Sequence, residues 1–378
     1  MENWLNKIEN FHPSNIELGL DRIRRVAAKL NLLNPNCPVI TVAGTNGKGT
    51  CCTKLSRIYT DAEYKVGCYT SPHLIHFNER IMLNHEPVQD EMLIKAFEKI
   101  EAACEDSQLT FFEFSTLSAL LIFKQANLDI MILEVGLGGR LDAVNIIDPD
   151  VAVITSIDLD HQHWLGTDRE SIGAEKAGIM RTSRPVFVSD INPPISLQDY
   201  ADTMGAEMKT VTETKLVPAI IECMSPQLPI NSEALEHSLA SHQLKGRLHI
   251  HQENPRVILD VAHNPAATQR LAHFLAQNSA TGKTYAVVSL LKDKDRPATL
   301  TPMLKHVHAW HTCDTEGPRG ARAQDITDTL TQLNTHTVHT HDTLENAYAA
   351  ALEHAQPEDQ IIVFGSFQTV GGVLKLAP

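Results

Sequence analysis

The chain has 378 residues, of which 43% are hydrophobic and 21% are charged, a composition typical of a globular protein with room for two domains. Its formal net charge of −14 argues against a nucleic-acid groove, because a phosphate backbone binds a basic surface. The seven cysteines include no C-x-x-C pair, and no stretch has the core of a signal peptide or the length of a membrane span. We therefore expect a cytoplasmic protein in a reducing compartment, without nucleic-acid or membrane partners.

In the first two thirds of the chain, short β-branched runs alternate with longer helical patterns, which is typical of βαβ units around a parallel sheet. Strands are predicted at Val39–Ala43, Val66–Tyr69, Asp129–Val135, Val151–Ile157 and Pro185–Ser189. Helices are predicted at Gly49–Ala62, Asp90–Cys104, Ser115–Gln125 and Arg169–Met180. These elements predict an N-terminal α/β domain with a parallel sheet.

The stretch from Val211 to Leu244 is less periodic and contains three prolines, so we place a domain boundary near its end, between domains 1–244 and 245–378. A second alternating series follows, with strands predicted at Arg256–Val261, Tyr285–Leu291, Val307–Cys313, Thr337–His341 and Gln360–Gly365. This series predicts a C-terminal Rossmann-like α/β domain. The fold class is therefore α/β with two domains.

Several histidines of this second series invite a metal-site interpretation. They fall on the predicted strands with mostly same-face spacing, and nothing completes a ligand set: His306, His308, His311, His336, His339 and His341. We therefore predict that they face solvent, as polar side chains mostly do.

The predicted strand Val39–Ala43 runs directly into a glycine-rich loop and then a helix. Glycines allow successive backbone N–H groups to converge on phosphate oxygens, and the helix start adds the positive end of its dipole. Lys48 supplies a positive charge for the β- and γ-phosphates. The loop is two residues shorter than the standard G-x-x-x-x-G-K-[ST] motif, and Gly49 stands in the place of the metal-binding hydroxyl. The sequence therefore predicts an ATP-binding loop formed by Gly44, Thr45, Asn46, Gly47, Lys48, Gly49 and Thr50.

This variant loop, G-T-N-G-K-G-T, resembles that of the Mur-ligase superfamily, specifically its folylpolyglutamate synthase branch. Further segments along almost the whole chain are similar to motifs of that family and come in the family's order. They are Leu18–Ile23, Tyr69–Leu74, Asn78–Arg80, Phe111–Glu113, Leu133–Ala143, Asp158–His161, Leu165–Gly166, Glu175–Ile179, Asp260–Pro265 and Gly365–Phe367. The resemblance implies a P-loop ATPase-like Mur-ligase domain at the N-terminus, and an ATP-dependent enzyme that joins L-glutamate to a pterin or folate carboxylate.

The segment Leu18–Ile23 resembles bifunctional bacterial members of the family in particular. The resemblance therefore implies one active site, in a monomer, that accepts both dihydropteroate and tetrahydrofolate after ATP has activated the carboxylate as an acyl phosphate. The substrate-binding residues that it implies are Gly19, Leu20, Asp21, Arg22, Phe111, Phe112, Glu113, Leu141, Asp142, Ala143 and Ser366.

Phosphoryl transfer depends on charge neutralisation, for which Mg²⁺ and cationic side chains are the usual components. Glu134 ends a predicted strand, at the edge where an α/β sheet presents its ligands, and a carboxylate there suits Mg²⁺. The resemblance implies the same role, adds Ser71 and His161 as metal-site positions, and implies two Mg²⁺ ions. His161 also begins an H-x-H pattern that suggests zinc, but neither a Cys nor a third His lies near it in the sequence.

Lys176, on a predicted helix fifteen residues beyond His161, is expected to carry a carbamate formed from CO₂. Carbamate formation requires the neutral amine, which burial of the lysine favours. The product is an anion that can ligate or neutralise Mg²⁺. The alternative is a lysine on the helix surface that pairs with Glu175 or another carboxylate.

In the second domain, Arg247 precedes Asp260 by thirteen residues, across what is predicted to be a hairpin. The resemblance implies that Arg247 and Asp260 bind ATP and that His263 lies near its phosphates, as a catalytic residue together with Lys48 and Lys176. An arginine from a second domain can cap phosphate charge when domains close, and the alternative is an exposed arginine near a linker.

Two positions depart from the family's pattern. The family usually has glycine where this chain has Val261, so the backbone after Asp260 is expected to be less open. Gln368 stands where a relative often has histidine.

Three alternatives remain for the activity. One is a cell-wall Mur ligase that adds an amino acid to a nucleotide-peptide, against which Leu18–Ile23 and Phe111–Glu113 argue. Another is a non-catalytic ATP-binding protein of the same fold, against which the intact Lys48 and Glu134 argue. The third is a dinucleotide-binding oxidoreductase, suggested by the glycines after the strand that ends at Val135; a leucine stands where the third glycine belongs, and no convincing helix follows.

Overall fold

The structure, a computed structural model, describes residues 1–14, 16–105, 107–231, 235 and 244–376. The chain divides into two compact units, Met1–His73 with Phe77–His242 and Leu74–His76 with Gln243–Pro378. The predicted boundary after residue 244 stays a prediction, since residues 236–243 next to it lie outside the described residues.

The first unit is built on one mixed sheet. Its strands are β1 (Val39–Ala43), β2 (Val66–Tyr69), β3 (Ile81–Leu83), β4 (Glu86–Pro87), β5 (Ile130–Glu134), β6 (Val151–Ile154), β7 (Pro185–Val188) and β8 (Glu207–Thr210). Within the described residues they form an eight-stranded sheet in the order β4-β3-β2-β5-β1-β6-β7-β8. Neighbours from β2 to β8 run parallel, while β3 and β4 extend one edge in antiparallel fashion.

The helices of the first unit precede, separate and follow these strands along the chain. They are α1 (Glu2–Glu9), α2 (Asp21–Lys29), α3 (Lys48–Asp61), α4 (Asp90–Cys104), α5 (Phe111–Ala126), α6 (Gln162–Leu165), α7 (Arg169–Ala177), α8 (Ile195–Met204) and α9 (Glu213–Met224), with 3-10 turns at Phe77–Arg80 and Ala143–Ile146. In the part of the chain that the structure describes, no helix is both long and apolar enough to cross a membrane.

The centre of the sheet positions the candidate site. Every residue of β1 and β5 is buried, as expected of parallel strands covered on both faces. Parallel strands end at the same edge of the sheet, so the segments that follow β1, β5 and β6 leave the sheet side by side. The predicted phosphate loop and His161 belong to these segments and Glu134 ends β5, at the edge where α/β sheets bind ligands.

The second unit contains a smaller sheet. Its strands are β9 (His249–Glu253), β10 (Arg256–Asp260), β11 (Thr284–Val288), β12 (Ala309–Cys313), β13 (Val338–His341) and β14 (Gln360–Phe364), and the described strands are ordered β13-β12-β11-β14-β10-β9. All pairs are parallel except the β9–β10 hairpin. The helices are α10 (Pro265–Gln277), α11 (Arg296–Leu300), α12 (Ala323–Gln332), α13 (Leu344–His354) and α14 (Phe367–Leu376), with a 3-10 turn at Thr301–Met303.

One of the histidines predicted to face solvent is instead completely buried. His311 lies in β12, an inner strand whose residues are all buried. Its ring packs among those of His339, His341 and His354, at centroid distances of 5.1, 5.3 and 5.5 Å. The prediction of solvent-facing histidines was therefore wrong for His311, because a strand inside a covered sheet buries both of its faces.

Several helices differ from the sequence-based prediction: α7 ends at Ala177, three residues before the predicted Met180, and α5 and α9 differ more. Helix α5 begins at Phe111 rather than Ser115, because Thr110 and Glu113 form a capping box that starts the helix earlier. Helix α9 forms within the stretch judged less periodic and contains Pro218. Its buried residues, Leu216, Val217, Ile220, Ile221 and Met224, recur at helical spacing, so packing of that face outweighs the lost backbone hydrogen bond.

Candidate active site

The predicted phosphate loop lies between the end of β1 and the start of α3. Lys48 is the first residue of α3, and Gly47 before it has a φ of 90°, in the left-handed region open to glycine. The loop therefore leads the backbone straight into the first turn of a helix, where N–H groups have no acceptor within the helix. Such a helix start suits a phosphate group.

Gly44 lets this loop approach the end of β6 closely. A Cβ atom on Gly44 would lie 1.8 Å from Thr155 Oγ1, so a larger residue would displace the threonine. Thr155 and its neighbour Ser156 both hydrogen-bond to the loop. Neither residue had a predicted role, since the only signal in the sequence is a pair of hydroxyls at the end of a predicted strand.

Lys48 lies across its own loop. Its Nζ donates to Gly44 O at 3.0 Å and to Thr45 O at 3.4 Å. The positive charge of Lys48 also acts on two buried groups, since it lowers the pKa of Lys176 and opposes the rise in the pKa of Asp142. The lysine is thus held at the loop where phosphate charge would arrive.

Two of the three predicted metal-site residues are in direct contact. Glu134 is the last residue of β5 and is buried, and it accepts a 3.0 Å hydrogen bond from Ser71 N. His161 is the residue before α6, with a φ of 52°. A buried carboxylate at the end of a central parallel strand fits Mg²⁺. Among the described side chains, no group of three or more His, Cys, Asp or Glu is arranged for a metal ion, so the zinc alternative gains no support.

Lys176 is buried within α7 and does not lie on a helix surface. Its relative exposure is 3%. Burial lowers its pKa from 10.5 to about 7, and the charge of Lys48 lowers it too, while nearby aspartates oppose the shift. Glu175, its partner in the alternative interpretation, instead forms an ion pair with Arg140 at 2.7 Å. The interpretation of Lys176 as a helix-surface lysine is therefore wrong.

The glycine-rich segment after β5 packs against α7 at this lysine. A Cβ atom on Gly139 would lie 2.7 Å from Glu175 O and 2.9 Å from Lys176 O, and Arg140 N donates to Glu175 O at 2.8 Å. The segment leads into the 3-10 turn Ala143–Ile146 instead of an α-helix. The close packing accounts for glycine at this position, and the dinucleotide-binding interpretation gains no support.

Asp142 is buried in the same segment, between Leu141 and Ala143. Its carboxylate accepts hydrogen bonds from Leu137 N at 2.8 Å and Val144 N at 2.9 Å. Burial raises the pKa of Asp142 to about 7, although these hydrogen bonds and Lys48 lower it. A carboxyl group with such a pKa can accept or donate a hydrogen bond near neutral pH.

An ion pair joins the two N-terminal segments predicted to bind the pterin. Arg22 in α2 donates through Nε to Glu113 Oε2 at 2.9 Å. Glu113 also accepts from Thr110 at the start of α5, as part of the capping box. The structure therefore brings Gly19–Arg22 and Phe111–Glu113 together.

A buried arginine lies among aromatic rings beside these segments. The guanidinium of Arg80 is 5.2 Å from the ring centre of Phe111 and 5.6 Å from that of Phe77, and its Nε donates to His73 Nδ1 at 2.9 Å. The ring of Phe112 packs on Gly136 so tightly that a Cβ there would approach it to 2.5 Å. From the sequence, Arg80 was predicted only as part of a motif. In the structure its side chain connects the segment after β2 to the start of α5.

In the second unit, the β9–β10 hairpin brings Arg247 and Asp260 near one another. Asp260 ends β10 and accepts from Leu248 N and Ala262 N, each at 2.8 Å. Burial raises the pKa of Asp260, while these hydrogen bonds and the charge of Arg247 oppose the rise.

Phe367, at the start of α14, links the other predicted residues of this unit. The guanidinium of Arg247 lies 6.0 Å from its ring centre, and the ring of His263 lies 6.5 Å from it. The preceding Ser366 is buried, and its Oγ is 2.6 Å from Thr369 Oγ1. Arg247 and His263 therefore lie beside one aromatic ring, which Ser366 precedes in the chain.

The two departures from the family's pattern leave this arrangement intact. Val261 is buried, and its N–H donates to Gly246 O at 2.9 Å, so the valine packs inward while the turn at Asp260 still forms. Gln368 is exposed on α14.

Comparisons with known proteins agree with this geometry. The family model of the Mur ligase middle domain matches residues 42–213, and that of the Mur ligase glutamate ligase domain matches residues 246–367. The chain is 42% identical over 406 residues to the dihydrofolate synthase/folylpolyglutamate synthase of Escherichia coli strain K12, covering 100% of this chain and 95% of the relative.

Solved structures give the same result. The structure of E. coli FolC in complex with DHPP and ADP matches with a TM-score of 0.94 and 41% identity, over 99% of this chain and 97% of that one. A bifunctional folylpolyglutamate synthase/dihydrofolate synthase from Yersinia pestis, complexed with AMPPNP and Mn ion, matches with a TM-score of 0.92 and 41% identity, over the same shares. The predicted family and two-domain α/β fold are confirmed: the chain belongs to the dihydrofolate synthase/folylpolyglutamate synthase family of Mur ligases.

Proposed function

We propose that this chain joins L-glutamate to two acceptors, dihydropteroate and tetrahydrofolate, in one ATP-dependent active site. The observation that carries the proposal is the assembly at the ends of β1 and β5, where the phosphate loop, Glu134 and the buried Lys176 accompany two paired acceptor-side segments. The relatives named for both reactions support the choice of acceptors.

The reaction proceeds in two balanced steps. An oxygen of the acceptor carboxylate attacks the γ-phosphorus of ATP, and ADP leaves. The glutamate amine then attacks the acyl carbon, forms the C–N bond and releases inorganic phosphate and a proton. Both steps develop negative charge on phosphate oxygens, which Lys48 and the N–H groups in the first turn of α3 are placed to stabilise.

Glu134 and Ser71 are proposed to hold Mg²⁺, with His161 as the further residue of a site for two ions. Glu134 is a buried carboxylate that accepts a hydrogen bond from Ser71 N, and carboxylate and hydroxyl oxygens are the donors that Mg²⁺ prefers. When bound, Mg²⁺ would neutralise phosphate charge during transfer.

Lys176 is proposed to carry a carbamate. Its neutral Nζ adds to CO₂ with loss of one proton, which leaves an N-bound carboxylate in place of an ammonium group. Burial and the repulsion from Lys48 favour the neutral amine that this step needs. The added negative charge would also compensate the cation on Lys48.

Arg247, Asp260 and His263 are proposed to act on the phosphates of ATP, and Ser366 on the substrate. Arg247 and His263 lie beside the ring of Phe367, and the charge of Arg247 acts on Asp260, which supports a shared role for these three residues. On the acceptor side, Gly19–Arg22, Phe111–Glu113 and the segment around Asp142 are proposed to bind the pterin.

The chain is further proposed to act as a monomer. It is also proposed to lie in a reducing compartment, and its seven free cysteines support that compartment. Sedimentation of the purified protein at several concentrations tests the monomer, and concentration-dependent mass would contradict it.

ADP release tests the proposed activity. Purified protein with ATP and Mg²⁺ should release ADP only when glutamate and either dihydropteroate or tetrahydrofolate are both present. Turnover with a cell-wall nucleotide-peptide instead would assign the chain to the other Mur ligases. Nucleotide binding without turnover on any acceptor would make it a non-catalytic ATP-binding protein.

A further inference from the structure

We infer that Thr155 and Ser156, at the end of β6, are positioning residues that hold the phosphate loop in its binding shape before the nucleotide arrives. The inference rests on the proposed function, which makes ATP the ligand of the loop. The two residues follow the last residue of β6, Ile154, and neither belongs to the loop itself.

Thr155 fixes the loop through its side chain. The residue is buried, and its hydroxyl lies 2.7 Å from Asn46 O, to which it donates a hydrogen bond. Its backbone N–H donates to Ala43 O at 2.9 Å. The absence of a side chain at Gly44 allows this approach, because a Cβ there would lie 1.8 Å from the same hydroxyl oxygen.

Ser156 and Asp158 bind further polar groups of the loop, on Thr45 and Asn46. Asn46 N donates to Ser156 Oγ at 3.1 Å, and Thr45 N donates to Ser156 O at 2.6 Å. Thr45 Oγ1 in turn donates to Asp158 O at 3.1 Å and accepts from Asp158 N at 3.0 Å. Both polar groups of the Asn46 backbone are thus engaged by hydroxyls of the two residues.

These hydrogen bonds divide the loop into a supporting part and a binding part. The N–H groups of Thr45 and Asn46 point to the segment after β6, so they are not the groups that meet a phosphate. The first-turn N–H groups of α3, from Lys48 to Thr50, have no acceptor within the helix. Removing the support would leave the binding groups present but free to vary in position, and a less preorganised site binds more weakly.

The test compares Thr155→Val and Ser156→Ala with two controls. Thr155→Ser keeps the hydroxyl. Thr41→Val makes the same substitution at a buried threonine of β1 whose Oγ1 has no hydrogen-bond partner among the described residues. Calorimetry measures binding of AMPPNP with Mg²⁺ to the full chain, and steady-state assays give KM for ATP, KM for glutamate and kcat. Thermal unfolding is recorded for each variant.

In Thr155→Val, Asn46 O loses its 2.7 Å hydrogen bond and keeps the longer one from Ser156 Oγ at 3.2 Å, so AMPPNP binding should weaken about threefold to tenfold. Ser156→Ala should weaken it about threefold to tenfold. KM for ATP should rise in parallel while KM for glutamate stays within about twofold, and Thr155→Ser and Thr41→Val should bind like wild type.

The inference is overturned if Thr155→Val and Ser156→Ala bind AMPPNP as tightly as Thr41→Val, or if KM for glutamate rises as much as KM for ATP. If Thr155→Val does not fold, Ser156→Ala decides by the same criteria. Wild-type protein that binds AMPPNP but ligates no folate would refute the proposed function and leave this inference testable by calorimetry. Wild-type protein that binds no nucleotide would refute both.

Discussion

Replacing Lys176 with alanine should abolish ligation, and the structure gives the size of the advantage that burial confers on this lysine. At pH 7, a lysine with a pKa of 10.5 has about 0.03% of its amine neutral, whereas a pKa of about 7 leaves about half neutral. Burial therefore raises the concentration of the CO₂-reactive form by about a thousandfold. Since carbamate formation consumes the neutral amine, a carbamate is expected here and not at an exposed lysine.

The sign of the pH dependence follows from the same pKa. The amine of Lys176 takes up a proton as the pH falls through about 7, so the carbamate and the activity should decline together on the acid side. At pH 6, about a tenth of the amine remains neutral. Raising the CO₂ concentration at pH 6 should restore part of the activity by mass action.

The assay combines mass and kinetics. Intact protein measured under CO₂, after the carbamate has been trapped by alkylation, should show one added carboxyl group that Lys176→Ala lacks. Short carboxylates such as acetate should partly restore turnover of Lys176→Ala. The matched control is Glu175→Ala, next to it on α7 and paired outward with Arg140, which should retain activity near wild type. A Lys176→Ala variant that is fully active without added carboxylate would rule out the carbamate.

The remaining predictions concern the phosphate loop and the buried histidine. Lys48→Ala should lower kcat by roughly 10³-fold or more with the thermal stability unchanged, since a transition-state charge is lost. The control Lys54→Ala, at an exposed lysine on the same helix, should leave kcat unchanged. A kcat for Lys48→Ala within tenfold of wild type would contradict the loop assignment. Burial and the neighbouring imidazoles lower the pKa of His311 from 6.5 to about 3. Between these pH values the unfolded chain binds a proton on this ring and the folded protein does not. The stability that is present above pH 6.5 is therefore lost as the pH falls. At pH 5 the free energy of unfolding is lower by about 2 kcal/mol. Denaturant unfolding of His311→Gln should therefore show a flatter dependence of this free energy on pH between pH 5 and 6.5, whereas the exposed His336→Gln should behave like wild type. Equal slopes in both variants would count against the assignment to His311.

Features that depend on neighbouring residues in the sequence were predictable. The phosphate loop needs a strand, glycines, a lysine and a helix start in one contiguous stretch, and the structure has each of them in register between Val39 and Asp61. The β9–β10 hairpin before Asp260 was also expected from its spacing. The alternation of strands and helices along the chain followed the same local logic.

Features that depend on packing between distant segments were not. Thr155 gains its role because β6 pairs with β1, more than a hundred residues earlier. His311 is buried because β12 is an inner strand, which the surface preference of histidine does not report. Helix α9 contains a proline and forms because its apolar face is packed. In each case the deciding contact lies outside the local sequence window.

An isotope label in the acceptor carboxylate follows the acyl phosphate directly. In the proposed reaction, a carboxylate oxygen of the acceptor attacks ATP and leaves with the phosphate when glutamate attacks. Dihydropteroate or tetrahydrofolate labelled with ¹⁸O in the reacting carboxylate should therefore yield inorganic phosphate carrying one ¹⁸O per amide formed, with the same protein and either acceptor. Amide formation with inorganic phosphate that carries no label, with either acceptor, would contradict the acyl-phosphate route.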